Sequence, residues 1–287
     1  MTGTTHARSL LLATDLSPRC DRATDRAIAL AGAWRVRAVA ATVVEWVERT
    51  ERNVPRHDLP GWYTEPSDAQ LARRRLAREF EGASHPWDIS VGEGVAGEQV
   101  SGLLDVLDAP LVVTGPVRGG AMAPVVLGST IDRLLRRPGT RLLMVNERVH
   151  RPYRRLLLAS DFSPACMIAL QQARLLFPEA KLTVLHGYSV PMLGLLDTSR
   201  DQALANARAA QREEGRAFLR EAGLDDVELL VEHGDPARLA QQYVDSVGAD
   251  LVVLGTHGRG AIHELLVGSV ARRFLTTVHA DMLVVHG

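Results

Sequence analysis

Residues 251–271 read LVVLGTHGRGAIHELLVGSVA, and the order of residue types in this stretch decides the fold. Leu251–Leu254 is a short apolar run, the pattern of a strand covered on both faces. Gly255, Gly258 and Gly260 follow as a turn. An amphipathic stretch then leads to Gly268 and Ser269, and a second apolar run stands at Met282–Val285. Strand, glycine turn and helix in that order present backbone N–H groups and a helix N-terminus to an anion.

The frame occurs twice. Arg8–Pro18 reads RSLLLATDLSP and Arg154–Pro164 reads RRLLLASDFSP, so Asp15 matches Asp161 at an offset of 146. Leu111–Val113, Gly115 and Gly128-Ser129 match Leu251–Val253, Gly255 and Gly268-Ser269 at an offset of 140. The first copy therefore carries six more residues between its aspartate and its glycine turn, and the polar stretch Glu51–Ser67 is the natural place for them. The boundary falls near Val149–Pro152, which gives units of 1–150 and 151–287.

Each copy alternates strand and helix. Strands are expected at Leu10–Ala13, Val36–Val44, Ile89–Val91, Leu111–Thr114 and Leu142–Val145 in the first copy. In the second they are expected at Leu156–Ala159, Leu182–His186, Val227–Val231, Leu251–Leu254 and Met282–Val285. Between them helices are expected, including Pro18–Ala33, Glu65–Gly82, Glu98–Leu107, Gly128–Arg137 and Gln202–Leu219. The alternation implies an α/β fold with a doubly wound parallel sheet in each half. Such sheets take ligands at the carboxyl ends of the strands, where the strand order switches.

Composition narrows the function. The 287 residues carry a net charge of -1, which gives no pull toward nucleic acid or an anionic membrane. No apolar run approaches the ~20 residues of a membrane helix, and the start of the chain has too short an apolar run for a signal peptide. Cys20 and Cys166 are too few for a disulfide scaffold and read as small buried residues, in keeping with a reducing cytoplasm. Of the basic residues only Lys181 is lysine, which removes any chemistry that needs several lysines. His257, His263, His279 and His286 read as surface or turn histidines rather than metal ligands.

The spacing G-x2-G-x9-G-S over Gly255, Gly258, Gly268 and Ser269, with GTHGRG at its start, resembles the universal stress protein family of the UspA type. The likeness covers nearly the whole chain and implies two such domains in tandem. It implies five-stranded parallel domains of the Rossmann-like, adenine nucleotide alpha hydrolase-like kind, paired through their last strands. In that family the motif marks members that bind ATP, with or without Mg²⁺. Gly255, Gly258, Gly268 and Ser269, with Arg259 and Val270 beside them, would hold ribose and phosphates. Ser160 and Asp161 would flank the nucleotide, and the backbone at His186-Gly187 would meet adenine. A carboxylate such as Asp161 at the end of a central strand has its own reasons: it can hold a ribose hydroxyl or Mg²⁺, or cap the helix that Ser163-Pro164 begins.

The first copy departs from this pattern. Arg118 stands at the position of Gly258 and Pro116 at that of Thr256, so the nucleotide is expected mainly in the second half. The chain lacks G-x4-G-K-[ST], G-x-S-x-G, H-E-x-x-H and a cysteine cluster. The site reads as one that holds a nucleotide in a stress-linked regulator. A slow ATPase or phosphotransferase, a nucleotide-free interaction module and further homodimerisation all stay open.

Overall fold

The computed structural model describes residues 7–45, 62, 65–108, 110–116, 128–190, 200–256 and 269–287. Its strands are β1 (Ser9–Ala13), β2 (Arg37–Val44), β3 (Asp88–Glu93), β4 (Pro110–Thr114), β5 (Arg141–Met144), β6 (Arg155–Ala159), β7 (Lys181–Tyr188), β8 (Glu228–His233), β9 (Leu251–Gly255) and β10 (Asp281–Val285). The helices are α1 (Asp21–Trp34), α2 (Asp68–Arg78), α3 (Ala96–Val106), α4 (Ser129–Leu135), α5 (Pro164–Leu176), α6 (Arg200–Glu221), α7 (Pro236–Val247) and α8 (Ser269–Thr277). Local chemistry sets their ends. A capping box between Ser67 and Gln70 starts α2 later than its charged sequence suggests. Asp235 caps α7, Pro236 opens it, and Gly248 closes it in the left-handed conformation at φ 81°.

The strands join in one sheet of order β3-β2-β1-β4-β5-β10-β9-β6-β7-β8. Each half is parallel and doubly wound, with its switch between β1 and β4 or between β6 and β9. Alternate strand residues feed two cores. Leu10, Leu12, Leu143, Leu158, Val253 and Leu283 pack under α1, α2, α5 and α6. Leu11, Leu142, Met144, Leu157, Val252 and Val284 pack under α3, α4, α7 and α8. Each core runs across both halves, which is why the strands are apolar throughout.

The register locates the extra residues of the first half differently from the sequence expectation. Ser9 pairs with Arg37, 28 residues on, whereas Arg155 pairs with Lys181, 26 residues on. Two of the six thus lie before β2. The other four lie between β2 and β3, where Val39 pairs with Asp88 but Thr183 with Glu228. Helix α1 runs on to Trp34, further than α5, which ends at Leu176, so the added length lies in the helix and the return to the strand after it is the shorter of the two.

The halves meet where β10 runs antiparallel to β5, pairing Met282 with Met144, Leu283 with Leu143 and Val284 with Leu142. Leu143 and Leu283 are equivalent positions, so a pseudo-twofold axis normal to the sheet passes between them. On one side of the sheet Arg272 of α8 reaches Asp132 of α4 at 3.7 Å, and these too are equivalent positions. His286, expected at the surface or in a turn, is buried in the seam with Nδ1 2.7 Å from the Leu135 carbonyl at the end of α4.

Residues 145–154 form an ordered strap rather than a loose linker. Asp281 has no exposed surface. Its Oδ1 accepts from the N–H groups of Asn146 and Glu147 at 2.8 Å, and its Oδ2 accepts from the Tyr153 hydroxyl at 2.5 Å. Arg26 of α1 lies 3.5 Å from Oδ2, stands over the Tyr153 ring at 4.1 Å and donates to the Arg151 carbonyl. Burial pushes the Asp281 carboxyl up despite these donors and pushes the Tyr153 hydroxyl well up. At the far end Asp250 accepts from the N–H groups of Arg154 and Arg155 and from the Arg151 guanidinium. Burial opposes ionisation there, but those donors together hold its carboxyl below its ordinary value.

Two outcomes test the strap. Asp281→Ala leaves Arg26 buried without its counter-charge, and chemical denaturation should show a loss of about 3–5 kcal/mol. Asp250→Asn should cost about 1–2 kcal/mol at pH 7. The folded carboxyl of Asp250 titrates below 3.8, so its contribution is complete above that pH and is lost as the pH falls through the folded value. The gap between Asp250→Asn and the parent chain should therefore narrow below pH 3.8, and a constant gap would refute the assignment.

Candidate functional site

The carboxyl edge of the second half is organised by one turn. After β6, Ser160 N–H donates to the Leu185 carbonyl, and Ser160 Oγ accepts from Phe162 N–H at 3.0 Å. Asp161 Oδ1 accepts from Ser163 N–H at 3.1 Å and from the Cys166 thiol at 3.3 Å. Ser163 Oγ then caps α5 through Cys166 N–H, with Pro164 in the first turn. The chain reverses through Phe162, whose φ of 60° is left-handed, a conformation that costs a non-glycine residue about 1–2 kcal/mol. Packing offsets that cost. The Phe162 ring stacks on His186 at 4.5 Å and leans on Phe218 at 5.6 Å. His186 Nδ1 lies 2.8 Å from the Ser160 carbonyl, a contact that requires the proton on that nitrogen.

The first half repeats the turn. Asp15 Oδ1 accepts from Ser17 N–H at 2.9 Å and from the Cys20 thiol at 3.2 Å, and Leu16 is left-handed at φ 56°. Burial works against ionised Asp15, but the Ser17 hydrogen bonds, the Cys20 thiol and Arg19 outweigh it and lower its pKa. Both thiols are pushed up, first by burial and then by contact with the aspartate. The cysteines are thus fixed donors to the turn and poor nucleophiles.

The glycines acquire packing reasons. A Cβ on Gly255 would come within 2.9 Å of the Ala165 carbonyl carbon in the first turn of α5. A Cβ on Gly115 would meet the Arg19 carbonyl and Cys20 Sγ at 3.0 Å. One on Gly187 would meet Pro236 Cα at 3.0 Å, where α7 begins. Each glycine lets a helix start press against a strand end.

The edge brings Ser160, Asp161, Gly187 and Gly255 together, since β6 lies between β7 and β9. Ser269 is the first residue of α8, and Val270 beside it is largely exposed. Gly258, Arg259 and Gly268, like Arg118, lie outside the described residues. Ser160 Oγ already accepts a hydrogen bond, so its hydroxyl proton is what it offers a ligand. Asp161 has two donors on Oδ1, and no group of three metal-binding side chains occurs among the described residues. A divalent cation fits here only when a ligand supplies most of its oxygens. The sequence reading missed Phe162, the His186 ring and Gly215, where a Cβ would meet Phe162 Cζ at 2.7 Å as α6 crosses the turn. The repeated Asp-x-Ser-Pro-x-Cys was the available signal.

A doubly wound sheet, built twice and joined edge to edge with matching aspartate turns at its switch points, defines a tandem α/β protein, and folds of this kind take ligands at such switch points. The model of the Universal stress protein family matches residues 6–146 and again 152–286. The chain belongs to that family, with two of its domains in tandem. It is 30% identical over 284 residues to a universal stress protein of Mycobacterium tuberculosis (strain ATCC 25618 / H37Rv), covering 92% of this chain and 90% of the relative. A counterpart in Mycobacterium bovis has the same identity and coverage. A functionally unknown protein from Pseudomonas aeruginosa PAO1 has the same fold over 100% of this chain and 95% of its own, with TM-score 0.65 and 18% identity. A putative universal stress protein from Pseudomonas aeruginosa UCBPP-PA14 is similar at TM-score 0.64 and 20% identity, over 99% and 94% of the two chains. Among the described residues no helix is long and apolar enough to cross a membrane.

Gly255→Ala and Gly115→Ala should each destabilise the ligand-free protein by about 1–3 kcal/mol in denaturant unfolding, because helix backbone must shift to admit the methyl group. Unchanged stability would mean that neither close approach is real.

Proposed function

We propose that the second half binds ATP and that the protein acts as a cytoplasmic nucleotide-responsive regulator in the stress response. The functional units are residues 1–150 and 151–287, of which the first keeps the fold with a degenerate motif and the second keeps the motif whole. The reading is supported most by one observation. Ser160, Asp161, Gly187 and Gly255 share the carboxyl edge at the β6/β9 switch, and the last helix opens at Ser269 beside it.

In this reading each residue has a separate task. The backbone at His186-Gly187 meets the adenine edge. Asp161 stays oriented by Ser163 N–H and the Cys166 thiol, and Ser160 offers a hydroxyl proton. Gly258, Gly268 and Ser269 leave N–H groups for the phosphates, and Arg259 adds charge at the rim. ATP brings a triphosphate that carries its own cation. In this reading the site is a holder, and among the described residues no side-chain pair of base and nucleophile stands out at this edge.

The test is direct. Purified protein is denatured and the supernatant is separated by liquid chromatography, with ATP added beforehand if none co-purifies. Near one adenine nucleotide per chain is expected, and Gly258→Arg, which installs the residue of the first half, should remove it without moving the unfolding temperature of the apo protein. Absence of nucleotide together with no thermal shift on added ATP would refute the proposal.

A further inference from the structure

A cavity of about 300 Å³ lies between α6 and the start of β8, the strand at the outer edge of the second half. Leu219, Val227 and Leu229 form its floor, and Arg212, Arg216 and Arg220 stand along it. The lining comes from the later turns of α6 and the return into β8. The segments of this half outside the described residues, 191–199 and 257–268, join the chain after β7 and after β9, at the carboxyl ends of the strands. Arg208, Arg212, Arg216 and Arg220 recur every four residues, which sets them along one face of α6. The outer two are answered, Arg208 by Glu232 and the Val231 carbonyl, Arg220 by Glu213 at 3.1 Å. The inner two, Arg212 and Arg216, are exposed and have no ion pair or hydrogen bond among the described residues. Like charges four apart on a helix repel, so an anion between them relieves a strain that the protein itself leaves standing. Asp225 is the one carboxylate of the lining. Three guanidiniums set against Asp225 and Glu213 leave one positive charge over. The floor has its own signal. By strand register Glu228 is equivalent to Asp88, so Val227 stands where Trp87 stands in the first half. There the indole stacks on Phe80 at 4.4 Å. A small aliphatic residue in its place leaves room for a ring.

We infer that this cavity binds a small aromatic acid. The ring lies on Val227 and Leu229, in the place that the first half fills with its own indole, and the carboxylate lies between Arg212 and Arg216. A guanidinium suits both parts of such a ligand. Its fork meets a carboxylate through two parallel N–H groups, and its flat face stacks on an aromatic ring. None of the residues involved belongs to the turn at Asp161 or to the glycines beside it, so the inference does not depend on ATP binding there.

The experiment uses the full chain and three probes that share one ring: indole-3-acetate, indole-3-acetamide and tryptamine. Binding is followed by calorimetry and by NMR of the arginine Nε–H groups. Indole-3-acetate should bind saturably, shift the Arg212 and Arg216 signals and bind about tenfold more tightly than the amide, with tryptamine weakest. Arg212→Gln combined with Arg216→Gln changes only exposed positions and should bring the acid down to the level of the amide. Val227→Trp, which installs the residue of the first half, should remove binding of all three, and Val227→Phe serves should that variant fail to fold. Gly258→Arg and saturating ATP should both leave binding of the acid unchanged, which separates this inference from the reading of the nucleotide site. Three results would overturn it: no saturable binding of indole-3-acetate, amide binding as tight as that of the acid, or acid binding undiminished in the double arginine variant.

Discussion

A carboxylate with no exposed surface has to be answered by protein, and the answer to Asp281 shapes the molecule. Ionised and alone it would cost several kcal/mol in such a place. The chain meets it with two strap N–H groups, the Tyr153 hydroxyl and Arg26 from α1. These partners come from both sides of the seam, so the buried charge is satisfied only when the halves stand in their observed relation. The β5–β10 ladder and the shared cores then extend over a geometry that is already fixed. Buried ion pairs are poor sources of net stability, but breaking one by misplacing a partner is costly. Here that cost falls on any arrangement in which the two halves part at the strap.

The same economy appears at the clefts. Each half has an aspartate that accepts from the N–H two residues on and from a cysteine thiol five residues on, around a left-handed residue. The turn fixes where the strand end points and where the next helix starts. The glycine at the end of β9, or just after β4, then admits that helix closely. The frame is common to both halves, and what differs is what stands at the end of the second strand: Gly187 packed under Pro236 in one, the Val43 side chain lining a cavity in the other.

Much of this was legible in the residues. The apolar runs gave every strand, the repeat gave the tandem, and Asp15 and Asp161 stood out because they recur. Other features were not legible, for physical reasons. A φ above zero at Leu16 or Phe162 leaves no mark in residue type, since both are apolar residues that normally avoid it. Nothing local in the sequence marks Asp281, because its partners lie far away in sequence. Gly255 was read from sequence as room for a phosphate, whereas the structure shows a packing reason, room for the start of α5, that residue type alone does not reveal. His286 was misread because a polar residue near the end of a chain gives no hint that a helix end from the other half will cover it.

The pseudo-twofold axis between Leu143 and Leu283 has one more consequence. Residues near such an axis meet their own counterparts, and here Asp132 meets Arg272. Two first halves paired in this way would set aspartate against aspartate, and two second halves would set arginine against arginine. Only the mixed pair brings opposite signs together. Once two copies share one chain, each can change without the other, and a symmetric contact can become a directional one. At this point of the seam the two halves are thus told apart by charge, although they stand in equivalent places.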